Sequence, residues 1–179
     1  MLLVTAATEN ELRGAGDTPT LVCGVGPVEA AVRTAAELAR SRPSALLLVG
    51  VAGARAFDAP GWVVGSEAIY CDADDPTGIE LRAAPDPDLV ARAGAALPEP
   101  RVEPIGTSAR VGGTHGCDVE AMEGYAVLRA AALADVPAVE VRVLANAIGE
   151  PDRARWRIGD ALDELAARLP ALIEALDRG

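Results

Sequence analysis

Residues 119–158 read V-E-A-M-E-G-Y-A-V-L-R-A-A-A-L-A-D-V-P, then A-V-E-V-R-V-L-A-N, then A-I-G-E-P-D-R-A-R-W-R-I. The Ala-rich part predicts a helix over 120–134 that opens with acidic residues. The β-branched run predicts a buried strand over 138–144, and a polar loop follows it. A helix leading into such a strand suits an open α/β sheet, where ligands bind beyond the carboxyl ends of the strands. Glu123 stands near the helix start, directly after Met122. Arg142 and Asn146 are four apart, on the strand and at its carboxyl end. These polar groups could surround a small hydroxylated ligand. They also fit a plainer reading, in which Glu123 complements the helix dipole and Asn146 serves a turn.

Working outward, residues 2–6 are a short apolar run, as a buried central strand requires. It ends in A-T-E-N-E, a second polar cluster at a strand's carboxyl end. A strand at 21–23 meets G-V-G-P, where Pro27 and Glu29 predict a helix through about residue 40. Gly24 and Gly26 let the backbone approach a neighbour or ligand closely, without the spacing of a dinucleotide fingerprint. Residues 45–49 predict a third strand, ending in G-V-A-G, and 62–70 a more extended one. Over 72–104 Asp, Pro and Gly dilute the pattern. A helix is expected at 86–97, begun by Asp86 or Asp88. A strand is expected within 101–111, where Pro104 argues for an edge or a bend. Residues 112–116 form a Gly-rich loop. In the last helix Ile158, Leu162, Leu165, Leu169, Leu172, Ile173 and Leu176 recur at helical spacing, with Pro170 expected to kink or divide it. Short connections between strands and helices argue for a parallel sheet covered on both faces.

At 179 residues the chain suits one domain over 1–179, long enough to bury a real core. Half the residues are hydrophobic but 3% are aromatic, so Ala, Val and Leu must fill that core. The net charge of −11 opposes binding to nucleic acid or an anionic membrane, because no surplus of cations is available to release counterions. Cys23, Cys71 and Cys117 give neither a disulfide framework nor a zinc spacing, which fits a reducing compartment. His115 is the one histidine and has no partner motif for a triad or metal cluster, so neither metal nor cofactor is expected. With no charged leader and no apolar run of roughly 20 residues, a soluble cytoplasmic protein is expected.

Taken in order, A-x-E-x-E after the first strand, C-G-V-G-P, G-V-A-G, V-E-A-M-E-G and R-V-L-A-N resemble the nucleoside phosphorylase and nucleosidase superfamily. Within it, M-E-G-Y-A-V and A-N-A-I-G-E-P-D-R-A-R-W-R-I-G-D-A-L look most like the futalosine hydrolases, which remove hypoxanthine from futalosine in the alternative menaquinone pathway. The likeness covers about residues 1–70 and 105–179. It implies a three-layer α/β/α sandwich with a mixed central sheet, shortened in the middle, acting on a small-molecule purine nucleoside as a homodimer or larger homo-oligomer. By the same resemblance, Glu11 activates the attacking water and Arg142 lies near the nucleophile. Glu123 bonds the ribose hydroxyls, Met122 packs on the sugar, and Val51 and Gly53 of G-V-A-G border the substrate. Asn146 occupies the place where adenine-specific nucleosidases carry an aspartate general acid.

Cleaving an N-glycosidic bond develops positive charge on the ribose and negative charge on the departing purine. A carboxylate near the sugar stabilises the first and can accept the water's proton. Asn can donate to the exocyclic oxygen of hypoxanthine and accept from its protonated ring nitrogen, whereas a carboxylate would meet that oxygen lone pair to lone pair. An oxopurine is therefore expected, and a methylthioadenosine or S-adenosylhomocysteine nucleosidase disfavoured. Where phosphorylases of the superfamily bind phosphate, T-E-N-E brings negative charge, so water is the expected nucleophile. The shortening falls between Cys71 and Cys117, where relatives place a loop that covers the purine and supplies a stacking aromatic. Residues 106–117 hold no aromatic, leaving Phe57, Trp62, Tyr70, Tyr125 and Trp156 as candidates. A trimmed, inactive nucleoside-binding protein is the expectation from a different class.

Overall fold

The computed structural model describes residues 1–56, 61–74 and 78–177. In chain order it runs β1 (Leu2–Ala6), a 3-10 turn (Glu9–Leu12), β2 (Thr20–Val22), α1 (Pro27–Ser41), β3 (Ala45–Ala54), β4 (Trp62–Tyr70), β5 (Arg82–Ala83) and α2 (Pro87–Ala96). It continues through β6 (Arg101–Thr107), β7 (Val119–Ala121), α3 (Gly124–Leu133), β8 (Ala138–Ala147), a 3-10 turn (Arg153–Arg155) and α4 (Ile158–Asp177).

The sheet runs β2-β1-β3-β7-β6-β4-β5, and β8 pairs with both β3 and β4. Strand β3 is parallel to β1 and β8 but antiparallel to β7. Likewise β4 is parallel to β6 but antiparallel to β5 and β8. The sheet is therefore mixed, not purely parallel as the strand–helix alternation alone predicts. Strands β3, β8, β4, β6 and β7 pair in a closed cycle. Small apolar side chains from all five, Ala52, Ala54, Val63, Ile105, Val119, Ala121 and Leu144, make one buried cluster. A second core packs the sheet against α2 and α4, a third against α1 and α3. Those are the two outer layers of the sandwich.

Several expectations need correction. The predicted helix over 120–134 begins at Gly124, because Val119–Ala121 is taken into the sheet between β3 and β6. Glu123 occupies the N-cap position of the shortened helix without a side-chain hydrogen bond to it. Pro104 lies on an interior strand, opposite an irregularity of β4 between Gly65 and Glu67. Its missing N–H thus falls where the ladder is already interrupted. Helix α4 continues undivided through Pro170. An interior proline removes one hydrogen bond and its ring crowds the preceding turn, together costing roughly 3 kcal/mol. Burial of Leu165, Leu169, Leu172 and Leu176 on the sheet offsets that, at roughly 1.5–3 kcal/mol for each leucine. Asp86 caps α2 by accepting from the N–H groups of Asp88 and Leu89. Among the described residues no helix is long and apolar enough to cross a membrane.

Candidate active site

All seven side chains or backbone positions singled out from the sequence, Glu11, Val51, Gly53, Met122, Glu123, Arg142 and Asn146, line one cavity of about 310 Å³. It opens at the carboxyl ends of β1, β3 and β8. Each residue arrives there for a local reason. After β1 the chain turns through Thr8, and the following 3-10 turn folds Glu11 back beneath it. The Thr8 N–H and hydroxyl then donate to Glu11 Oε2 at 2.9 and 2.8 Å, and the Val51 N–H reaches Oε1 at 3.2 Å. Glu11 is thereby buried with a fixed orientation.

Glu123 is held from the other side. Gly24 and Gly26 both lie at positive φ, 84° and 87°, a region that glycine enters without steric cost. This turns the Gly26 N–H onto Glu123 Oε1 at 3.0 Å. The close approach anticipated for C-G-V-G-P is thus to a neighbouring carboxylate. Arg142, 1% exposed, bridges the arrangement. Its Nη2 donates to Glu123 Oε2 at 3.2 Å and its Nε to Glu140 Oε1 at 2.9 Å. Burial opposes the Arg142 charge, but Glu140, then Glu123 and Glu11, outweigh it and raise the pKa. Burial pushes the Glu140 carboxyl above the usual carboxylate range, with Arg142 opposing. Cys23, buried beside these charges, is pushed up to about 12 by burial first and then by Glu123.

Asn146, nearly buried, is the penultimate residue of β8, just past an irregularity in its pairing with β3. Its Nδ2 donates to the Ala147 carbonyl at 3.1 Å. A side chain at Gly53 would start 2.9 Å from that nitrogen, so only glycine leaves Asn146 room. Met122 is half-buried on the cavity wall. Of the aromatic candidates, Trp156 lines the cavity, its indole N–H donating to the Glu150 carbonyl at 3.1 Å. Trp62 belongs to the core and Tyr70 stacks on Tyr125 at 5.2 Å, away from the cavity lining. Phe57 lies outside the described residues. His115 sits exposed in the loop after β6, and among the described residues no His/Cys/Asp/Glu group is arranged to hold a metal.

The family model for the phosphorylase superfamily matches residues 12–177. The chain belongs to the phosphorylase superfamily. It is 35% identical to a futalosine hydrolase of Streptomyces coelicolor, over 88% of this chain and 79% of that one. It is 32% identical to a futalosine hydrolase of Acidothermus cellulolyticus, over 85% and 73% of the two chains. Among solved structures it is similar in fold to the S-adenosylhomocysteine nucleosidase of Streptococcus pyogenes, with TM-score 0.86 and 22% identity, over 98% of this chain and 96% of that one. The 5'-methylthioadenosine/S-adenosylhomocysteine nucleosidase of S. pneumoniae gives TM-score 0.84 and 19% identity, over 98% and 99%.

Within this phosphorylase-superfamily site, sequence reasoning overlooked two carboxylates. Glu140 is two residues before Arg142, so strand alternation puts both on one face of β8. Glu120 lines the cavity from β7. Its neighbour Glu123 is marked by M-E-G, whereas Glu120 falls within the helix that the sequence predicts over 120–134.

Proposed function

We infer that the protein hydrolyses the N-glycosidic bond of a purine nucleoside, and that the nucleoside is futalosine. What carries this reading is a cavity lined, among the described residues, by Glu11, Glu120 and Glu123 but by one cation, Arg142, which two carboxylates already hold. Such a lining disfavours a phosphate dianion and leaves water as the nucleophile. The similarity to two futalosine hydrolases supports the substrate.

Water attacks the anomeric carbon and yields its proton to Glu11, while the carbon–nitrogen bond breaks with its electron pair passing to the purine. Glu123 accepts hydrogen bonds from the ribose hydroxyls. Arg142 fixes Glu123 and the surroundings of Glu11, and Met122 packs against the sugar. Asn146 Nδ2 donates to the exocyclic oxygen of hypoxanthine, and its carbonyl accepts from the protonated ring nitrogen. An amide is no proton source at neutral pH, so the base leaves by hydrogen bonding and is protonated from solvent. Val51 and Gly53 form the floor, and Trp156 closes the wall where a covering loop is short.

Exposed Val25, on the rim of the cavity, together with exposed Val28 and Val32 one turn apart on α1, supports a homodimer or larger assembly. Three free thiols support the cytoplasm as the working compartment. The test is base release from futalosine, inosine and methylthioadenosine, each with and without phosphate. Hypoxanthine from futalosine without phosphate is expected. Absence of release from all three, or release that requires phosphate, refutes the reading.

A further inference from the structure

Glu120 is held as Glu11 is, by the N–H and hydroxyl of one threonine and by one further backbone N–H. Gly112 N–H donates to its Oε1 at 2.7 Å, while the Thr114 N–H and hydroxyl donate to its Oε2 at 3.3 and 2.9 Å. The loop making those contacts is also fixed by Arg55, which donates to the carbonyls of Cys117 and Thr114 at 3.0 and 3.2 Å. A carboxylate offers about four acceptor positions. Three are taken by the loop, and the one left is on Oε1, at a residue bordering the cavity.

The sheet register says what that position faces. Gly53 of β3 is paired with Glu120 of β7 on one side and with Asn146 of β8 on the other. Residues paired across neighbouring strands project to the same face. Asn146, Gly53 and Glu120 therefore form one row, with the side-chain-free position in the middle. Strands lie about 4.8 Å apart, so the outer two Cα atoms of the row stand about 10 Å apart. That is room for the edge of one purine, laid over Gly53 between two polar side chains.

We propose that Glu120 determines specificity by accepting the N1–H of a 6-oxopurine, while Asn146 holds the opposite part of the same edge. This rests on the purine nucleosidase reading above and deepens it. A 6-oxopurine carries a donor at N1; adenine carries a lone pair there, which would face the carboxylate unpaired. Acceptor at β7 and amide at β8 thus select the same class of base from both ends of the row.

The experiment measures binding of hypoxanthine, 1-methylhypoxanthine and adenine by calorimetry to the full chain and to its Glu120→Gln and Thr114→Val variants. The full chain should bind hypoxanthine at least about tenfold tighter than either other base, the range expected when a buried polar group loses its partner. Glu120→Gln should cut both ratios by about tenfold: its oxygen keeps the two Thr114 donors, so its NH₂ gives up the Gly112 N–H and turns towards N1, where it suits adenine. Thr114→Val loosens the loop but keeps the carboxylate, so affinities should drop together with the ratios unchanged. Equal binding of hypoxanthine and 1-methylhypoxanthine by the unsubstituted chain overturns the assignment, even if Glu120→Gln does not fold. Futalosine cleavage with that equality removes Glu120's role and leaves the hydrolase. Binding of none of the bases, with no cleavage, removes both.

Discussion

Gly50→Ala is a small change with a large expected effect on turnover. A Cβ at position 50 would run into Arg142 Nη1 and lie 2.7 Å from Glu11 Oε1, where ordinary contact begins at 3.4 Å. Glu11 must therefore retreat by about 0.7 Å, a shift to be set against the rule that about 1 Å of misplacement costs about 10²-fold. Neither group can yield freely. Arg142 is tied to Glu140 at 2.9 Å and Glu123 at 3.2 Å, and Glu11 to Thr8 and the Val51 N–H. We expect kcat/KM for futalosine to fall by about 30- to 100-fold, or about 2–2.7 kcal/mol of transition-state stabilisation. Overpacking should cost about 1–3 kcal/mol of folding stability, partly offset by about 0.5–1 kcal/mol from replacing glycine within a strand. Hypoxanthine release, measured beside thermal unfolding, reads both effects. Gly94→Ala is the control: nothing lies within 4 Å of a Cβ there, so activity should be unchanged. A Gly50→Ala protein that cleaves futalosine within threefold of the parent would refute the placement of Glu11 and Arg142 at the reacting centre.

Glu11→Gln should lower turnover by about 10²- to 10⁴-fold, the range for a general base, while hypoxanthine still binds; near-normal turnover sinks the assigned role. Asn146→Asp should move selectivity from oxopurine towards aminopurine nucleosides by roughly 5- to 150-fold, matching about 1–3 kcal/mol for a mispaired buried group. Unchanged selectivity in competition assays contradicts the pairing. Glu140 gives a pH signature. Burial raises its pKa, so the folded chain keeps a proton that the unfolded chain releases near about pH 4.3. Its stabilising contribution is complete below that value and is lost as pH rises through the folded value. Glu140→Gln should flatten that decline in urea melts taken across the interval, and an identical slope in the variant counts against it.

How far the site could be read from the chain depended on whether neighbours in sequence or neighbours in space made each residue informative. Glu123, Arg142 and Asn146 stand in patterned stretches, so their strand and helix-start positions were legible. Strand β7 was not. Val119–Ala121 is three residues long, too short to show an alternation, and the alanines after it favour helix. Pairing with β3 and β6 overrode that local preference. The same misreading hid Glu120, since a residue placed on a helix cannot form a row with Gly53 and Asn146. Glu140 was hidden differently. In V-E-V-R-V the arginine belongs to R-V-L-A-N, a stretch that carries the resemblance, whereas the glutamate belongs to no such motif. Here both faces of β8 are covered, and residues Ala138 to Asn146 are all buried. The charges then have no solvent to turn to, so Glu140 Oε1 accepts from Arg142, whose other partners are Glu123 and the Val51 carbonyl, while Glu140 Oε2 has no hydrogen-bond partner among the described residues.

That burial also explains why glycines recur around the site. A guanidinium enclosed by carboxylates needs space on several sides at once. Side chains at Gly50 and Gly124 would occupy it, the first against Arg142 and Glu11, the second against the Glu140 carboxylate. Gly26 serves another need, presenting a backbone N–H to Glu123 from a positive φ. Gly26 of C-G-V-G-P and Gly124 of M-E-G thus support one buried charge network from distant parts of the chain. Neither spells a ligand-binding motif by itself. Their common purpose emerges once β8 carries Arg142 between them, and it is to hold two acids and one base rigid beside the cavity.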